Sequence, residues 1–343
     1  MQDRIRVLVL GTGQMGAGIA RLVLQKPSLA LVGAVARRPE REGLDLGRAI
    51  GLDRALGIPV RTNLAAALAE TRPQVAIQAT CSRLSEAQYE IVTLVRAGVH
   101  VISIAEEMAY PACLDPDLAA ELQRLAKDHR VVVLGTGINP GFVLDLLVIA
   151  LTGVCAEVRS IHARRVNDLS PYGPSVLTAQ GVGLSPEAFR RGLADGTVVG
   201  HIGFPQSIHM ITTALGWSVE WIEEDREPII AGVPRETPFV RVEPGQVAGC
   251  QHQARAYCRG GPVIELIHPQ QVRPELERVQ TGDYIDIRGI PDVRLSGSPE
   301  IPGGQGTIGL AVNAIPRVLA AAPGLYSMPE LPVPAALPEI GHA

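Results

Sequence analysis

Three groups of residues have the types and spacing to do chemistry. The first is Gly11-Thr12-Gly13-Gln14-Met15-Gly16, which follows the apolar run Ile5 to Leu10 and opens a second apolar run, Ala17 to Leu24. Glycines at these intervals give a tight turn, room for a pyrophosphate against the backbone, and close packing of helix on strand. The phosphates would sit at the positive end of the helix dipole. All six residues are therefore candidate dinucleotide-binding positions. The second group is Arg37-Arg38 after Ala36. A carboxylate at this strand end would hydrogen-bond the ribose hydroxyls of NAD. Alanine with two arginines beside it points to the 2′-phosphate of NADP, which guanidinium groups pair with bidentately; two solvated arginines on a surface turn would look the same. The third group lies at later strand ends: Thr80-Cys81-Ser82, Glu106-Glu107 in Ser103 to Pro111, and Asn139-Pro140-Gly141-Phe142.

The elements that must position these residues alternate strand and helix. Leu29–Ala36, Pro59–Thr62, Gln74–Ala79, Val99–Ile104 and Val131–Leu134 read as strands. The intervening helices run from Leu64 to Glu70 behind an Asn63 cap, from Glu86 to Ala97 behind Ser85, and from Asp115-Pro116 to about Asp128. This alternation predicts a doubly wound parallel sheet of Rossmann type, an α/β fold, with ligands outside the carboxyl ends of the strands. Thr80 and Ser82 end a central strand and so should contact ribose or nicotinamide. A further helix is expected from Val143.

Beyond about residue 155 the pattern changes. Glu157–Val166 reads as a strand, Ser185 caps a helix of Pro186 to Ala194, and Gln206–Leu215 is helical. Phe239–Val242, Gln246–Cys258, Val263–His268, Asp283–Ile287 and Val293–Leu295 are strand-like, with Gly260-Gly261 as a hairpin turn. The expectation is a second α+β domain over 141–304 for substrate binding and oligomerisation, its mixed or antiparallel sheet having helices on one face. The first domain covers 1–140 and is completed by 305–330, where Thr307–Ala322 reads as one apolar helix containing Pro316, followed by a proline-rich tail.

Composition narrows the function. A net charge of -4 gives no basic surplus for nucleic acid. The first residues lack a signal-peptide layout, and the longest apolar candidate for a span, Phe142 to Leu151, contains Asp145. A soluble, cytoplasmic protein is expected, without a nucleic-acid or membrane partner. Five scattered cysteines with no CxxC pair indicate neither a disulfide framework nor a metal site.

These residues resemble the 2,4-diaminopentanoate dehydrogenases and the native amine dehydrogenases related to them, whose N-terminal half is similar to dihydrodipicolinate reductase. The matching pieces are Gly11–Gly16, Gly43-Leu44-Asp45-Leu46-Gly47, Ile104 to Pro111, Asn139 to Phe142, Gly200-His201-Ile202-Gly203 and Val312-Asn313-Ala314-Ile315-Pro316-Arg317.

The resemblance implies NAD(P)-dependent oxidative deamination of an amine, reversible as reductive amination of a ketone or aldehyde with ammonia. It implies a small-molecule amine or carbonyl as substrate; with Arg37 and Arg38 after Ala36, NADP is the expected cofactor, NAD being possible, and we expect a homodimer. A glutamate at the Glu106-Glu107 position would handle the nitrogen. Glu106 is the first choice; a one-residue shift would hand the task to Glu107. Asn139 and Pro140 would lie against the nicotinamide, and Phe142, Arg165, Asn167 and His268 would line the substrate pocket. Arg165 is the candidate partner for a substrate carboxylate, whereas a simple amine would need mostly apolar walls. His201 is assigned to packing between two glycines, and Tyr172, Trp217 and Trp221 to pocket wall or core. Two other functions fit the same sequence: reduction of an imine or carbonyl without ammonia, and a dinucleotide sensor without turnover.

Overall fold

The computed structural model describes residues 4–259 and 263–338. The chain divides into two compact units, Met1–Phe142 with Gly303–Ala343, and Val143–Pro302.

In the first unit β1 (Ile5–Leu10), β2 (Leu29–Val35), β3 (Val60–Arg61), β4 (Val75–Gln78), β5 (His100–Ser103) and β6 (Val132–Gly135) alternate with α1 (Gln14–Gln25), α2 (Leu46–Ala49), α3 (Leu64–Thr71), α4 (Leu84–Arg96) and α5 (Pro116–Asp128). Val7 to Leu10, Val75 to Ile77 and Val132 to Leu134 are fully buried, as expected of strands covered by helices on both faces. Asn63 and Asp115 cap α3 and α5 through their side chains. Ser85 does not cap α4, which starts one residue before it behind Arg83; the carboxylate of Glu107 accepts the Leu84 N–H instead. Asp45 of the matched glycine-flanked motif accepts from the backbone of Gly47, Leu56 and Gly57, so that motif ties a connection together.

The second unit holds α6 (Leu146–Thr152), β7 (Glu157–Asp168), α7 (Pro174–Ala179), α8 (Pro186–Asp195), α9 (Phe204–Leu215), β8 (Val219–Ile230), the short ribbon β9 (Arg235–Glu236) and β10 (Arg241–Val242), β11 (Val247–Cys258), β12 (Val263–Gln271), β13 (Gly282–Ile290) and β14 (Val293–Gly297). Six of these strands form one sheet in the order β14-β13-β7-β12-β11-β8, mixed because β12 and β7 run parallel. Burial alternates along β12, which gives the sheet one buried and one open face. Strand β8 was not foreseen. It lies at the sheet edge, and with Glu220, Glu223, Glu224, Asp225 and Glu227 it lacks a strand's apolar alternation. Trp221 is 54% exposed there, stacked on Tyr257, and so is not part of the core. The expected strand Phe239–Val242 shrinks to β10, and the Gly260-Gly261 turn lies outside the described residues. The helix expected from Val143 begins at Leu146, because Asp145 caps it there.

The chain then returns to the first unit as α10 (Gly303–Asn313), α11 (Ile315–Ala320) and β15 (Gly324–Tyr326). The single helix around Pro316 is thus two helices, with proline in the first turn of the second, where its missing N–H costs nothing. Strand β15 pairs with β6 from within the proline-rich tail and completes a parallel sheet of order β15-β6-β5-β4-β1-β2-β3. Strand order reverses between β1 and β4, the crevice where such sheets bind ligands. No helix among the described residues is long and apolar enough to cross a membrane.

Candidate active site

The glycine turn occupies that switch point. Gly11 has φ 106°, and a Cβ there would meet the Ala79 carbonyl oxygen at 2.5 Å. A Cβ on Gly16 would lie 2.0 Å from the Gly11 oxygen, so the helix start is pressed onto the turn. At Gly13, the N-cap of α1, a Cβ would meet nothing within 4 Å. No side chain caps α1 and no acid lies in its first turn, which leaves the helix N-terminus with its positive partial charge and open space in front of it. This cradle fits a dinucleotide pyrophosphate, with Thr12, Gln14 and Met15 completing the turn.

A cavity of about 600 Å³ opens near the end of β2, lined by Ala36, Arg37, Asn63, Glu86, Tyr89 and Glu90 among others. Arg37 is not a bare cation there. Its Nε donates to Glu90 Oε1 at 2.9 Å and its Nη2 to the Glu86 carbonyl at 2.9 Å, and the Glu90 hydrogen bond raises its pKa. Glu90, only 8% exposed, also accepts from the Thr80 hydroxyl and from Gln78 Nε2. Sequence reasoning missed Glu90, which is 53 residues from Arg37 and carries no local sign of its role. Arg38 is exposed; its carbonyl accepts the Arg41 N–H, and its side chain has no hydrogen-bond or ion-pair partner among the described residues.

The ends of β4 and β5 are locked together beside Glu106. The buried Ser103 hydroxyl donates to Gln78 Oε1 at 2.6 Å and accepts the Ala105 N–H at 3.2 Å. One 3-10 turn, Glu106–Ala109, follows. Glu107 N–H donates to the Ser82 carbonyl at 3.2 Å, and the Glu107 carboxylate takes the Leu84 N–H at 2.6 Å. The Glu106 carboxylate beside it is half-buried. Burial raises the Glu106 pKa, with Glu107 adding to the rise and the hydrogen bonds from its own backbone and Ser82 opposing it. The turn rests on Gly135, where a Cβ would fall 1.8 Å from the Met108 oxygen.

After β6, Gly141 has φ 123° and approaches Gly137 so closely that a Cβ would lie 2.5 Å from the Gly137 nitrogen. Ile138 N–H donates to Thr307 Oγ1 at 3.0 Å, which anchors the turn carrying half-buried Asn139 and buried Pro140 to α10. Phe142, at its end, is half-buried.

In the second unit, Arg165, Asn167 and His268 come together on the buried face of the sheet. Asn167 Oδ1 and His268 Nε2 lie 2.8 Å apart. Arg165, 1% exposed, donates from Nη1 to Asp283 Oδ1 at 2.5 Å and from Nη2 to the Ile301 carbonyl. The cross-strand register places Asp283 opposite Arg165, a partner no local pattern announces. His201 packs edge-on to His268 and Phe204 with ring centroids 4.8 Å apart, and its backbone N–H donates to His252 Nδ1 at 3.0 Å. With Nδ1 accepting, the neutral His252 ring presents its Nε2–H to Glu224 Oε2, 2.8 Å away. Burial holds His201 and His268 well below the usual histidine range and lowers His252 too. Tyr172 packs, half-buried, against the apolar cluster of Leu169, Leu177 and Val242, and Trp217 is half-buried. Among the described residues no three His, Cys, Asp or Glu side chains are grouped to hold a metal ion.

A parallel sheet of this order with a glycine turn at its switch point, joined to a mixed-sheet second unit, defines a two-domain Rossmann-type protein of the dehydrogenase architecture. Residues 142–341 match the 2,4-diaminopentanoate dehydrogenase C-terminal domain, and residues 5–104 the N-terminus of dihydrodipicolinate reductase. The chain belongs to the 2,4-diaminopentanoate dehydrogenase family. It is 44% identical over 337 residues to the 2,4-diaminopentanoate dehydrogenase of Acetoanaerobium sticklandii, spanning 98% of this chain and 95% of the relative. It is 26% identical to the amine dehydrogenase of Streptomyces virginiae over 98% and 99% of the two chains. The solved amine dehydrogenase from Mycobacterium smegmatis is similar with a TM-score of 0.89 at 28% identity, over 98% of this chain and 99% of the other.

Proposed function

We propose that this chain is a nicotinamide-dinucleotide-dependent amine dehydrogenase that deaminates an amine oxidatively and, in reverse, aminates a ketone or aldehyde with ammonia. The observation that carries this reading is Glu106: a carboxylate at the carboxyl edge of the parallel sheet, half-buried with a pKa raised by burial, while its neighbour Glu107 is occupied as a helix cap.

A bound nicotinamide would supply the hydride acceptor for oxidation and the hydride donor for reduction. The Gly11–Gly16 turn would hold its pyrophosphate, and the turn bearing Asn139 and Pro140 would orient the ring. Glu106 would take a proton from the substrate ammonium, so that the neutral amine can be oxidised to an imine. It would return that proton as water adds to the imine carbon and the carbinolamine expels ammonia. A carboxylate of raised pKa suits both directions near neutral pH.

The cluster of Arg165, Asn167 and His268 supports a substrate with a polar group besides the reacting amine, as in the diamino acid named for the Acetoanaerobium relative. Ala36 at the end of β2 and the unpartnered Arg38 favour NADP over NAD. On the open face of the second sheet, β8 presents Glu223, Asp225 and Glu227, while Arg288 and Arg294 across the sheet are paired with Asp286 of the same chain. The open sheet face with its exposed Trp221–Tyr257 stack supports a homodimer through that face; light scattering on the eluted protein tests it. Five free thiols fit the cytoplasm.

The deciding experiment follows reduction of NADP+ with 2,4-diaminopentanoate and with simple amines, using the native chain and Glu106→Gln. The substitution should lower kcat by at least about 10²-fold with cofactor binding retained. Activity close to native in that variant rules Glu106 out. Equal NADPH consumption with a ketone in the presence and absence of ammonium would favour the carbonyl reductase.

A further inference from the structure

The sequence marks Arg37 as a partner for the 2′-phosphate of NADP, yet its guanidinium faces acceptors of its own chain. Nε donates to Glu90 Oε1 at 2.9 Å, and Nη2 reaches the Glu86 carbonyl at 2.9 Å and Cys81 Sγ at 3.5 Å. Nη1 lies 3.6 Å from Glu86 Oε2. All three nitrogens are thus turned toward α4 and the connection before it. Glu90 is fixed as well, because its other oxygen is held from the sheet. Oε2 accepts the Thr80 hydroxyl and, at 3.2 Å, Gln78 Nε2, while Gln78 Oε1 accepts from the buried Ser103 hydroxyl. Burying a carboxylate is costly without a cation and hydrogen bonds; Glu90, 8% exposed, has both, and its cation is Arg37.

Arg37, Glu86 and Glu90 line the cavity at the end of β2, together with Ala36 and with Leu10, the residue before the glycine turn. Gly11 N–H donates to the Val35 carbonyl at 2.7 Å, and Val35 lines the cavity too, so turn and cavity are contiguous. A dinucleotide with its pyrophosphate at Gly11–Gly16 would place its adenosine ribose here. We infer that Glu90, assisted by Glu86, is a specificity-determining residue: by holding and neutralising Arg37 it weakens the grip on the 2′-phosphate and keeps NAD usable beside NADP. The inference rests on the dinucleotide placement proposed above. A phosphate that draws Arg37 to itself must break the Glu90 hydrogen bond and leave that carboxylate nearly buried without its cation. It also meets the repulsion of both carboxylates. NAD, with a hydroxyl at that position, meets neither cost. Preference for NADP then comes from the exposed Arg38, whose side chain is not committed to an acid.

The test is the ratio of the NADH to the NADPH dissociation constant, read by fluorescence titration of the full-length native chain, Glu90→Gln, Glu86→Gln and the double variant Arg37→Ala/Glu90→Gln. Glutamine keeps the size of Glu90 and removes the charge that holds Arg37. The ratio should rise about tenfold, in favour of NADPH, the scale of a charge-assisted hydrogen bond to phosphate. Removing Arg37 as well should return it to the native value. The Glu86 side chain is 52% exposed, so Glu86→Gln folds whatever Glu90 does for stability, and its ratio should rise about threefold, the scale of an exposed ion pair. Equal weakening of both cofactors in Glu90→Gln would assign Glu90 to bracing the fold and overturn the inference. If Glu90→Gln does not fold, an unchanged ratio in Glu86→Gln overturns it. A native chain that binds neither cofactor removes the dinucleotide site and the inference with it; binding of both with ratios unmoved by the variants removes only the role of Glu90.

Discussion

The carboxylate of Glu107 accepts the backbone N–H of Leu84 at 2.6 Å and so closes the start of α4 in place of a capping residue from the helix's own sequence. Adjacent acids thereby differ: Glu107 is committed to a peptide N–H, whereas Glu106 is half-buried with its pKa raised by burial. Glu107→Ala should behave as the loss of a helix cap. We expect a destabilisation of about 1 to 2 kcal/mol in a denaturant titration. The proton-linked limb of the activity profile should persist, in contrast to Glu106→Gln.

The three glycines of the first turn should separate folding from cofactor binding. Gly13 faces open space and has an ordinary φ of -77°, so Gly13→Ala should fold with nearly native stability. Its methyl group would project where the pyrophosphate approaches, and we expect the NADPH dissociation constant to rise tenfold or more by fluorescence titration. Gly16→Ala must displace the Gly11 backbone and should lower the melting temperature whether or not cofactor is present.

How far the sequence carries depends on how local each cause is. Strand β1, the glycine turn and α1 are contiguous and strongly patterned, and the parallel alternation up to β6 follows from buried runs between recognisable caps. Strand β8 escaped because an edge strand with one solvated face can carry acids at most positions. Strand β15 escaped because its three residues sit among prolines, and only pairing with β6 makes them a strand. The candidate site divides the same way. Side-chain types at strand ends pick out Glu106, Arg165, Asn167 and His268. Their partners sit at separations with no sequence period: Leu84 with Glu107, Arg37 with Glu90, Arg165 with Asp283. Which of two adjacent glutamates becomes the cap of α4 is decided by that tertiary pairing.

The two arginines after β2 should also be separable. Arg37 is anchored to Glu90, so Arg37→Ala leaves a nearly buried carboxylate without its cation; it should cost stability and impair both cofactors alike. Arg38 has no such duty. Arg38→Ala should leave kcat/KM for NADH unchanged and lower that for NADPH by about tenfold or more, the scale of a charge-assisted contact to phosphate. Equal losses with both cofactors in Arg38→Ala would remove the argument for NADP.

The buried histidines set an acid limit on the fold. His201, His268 and His252 have folded-state pKa values below the ordinary 6.5, mainly through burial. Above pH 6.5 folded and unfolded chains both hold these rings neutral, and stability is insensitive to them. Below it the unfolded chain takes up protons that the folded chain refuses, so stability falls as pH drops, until each folded pKa is reached. Each ring can contribute up to about 1.4 kcal/mol per pH unit in that window. Urea unfolding midpoints should therefore decline between pH 7 and pH 5.5. His268→Gln, which removes one titrating ring, should show a shallower decline from its own starting stability. A midpoint independent of pH across that interval would mean that the rings are not held neutral in the folded chain.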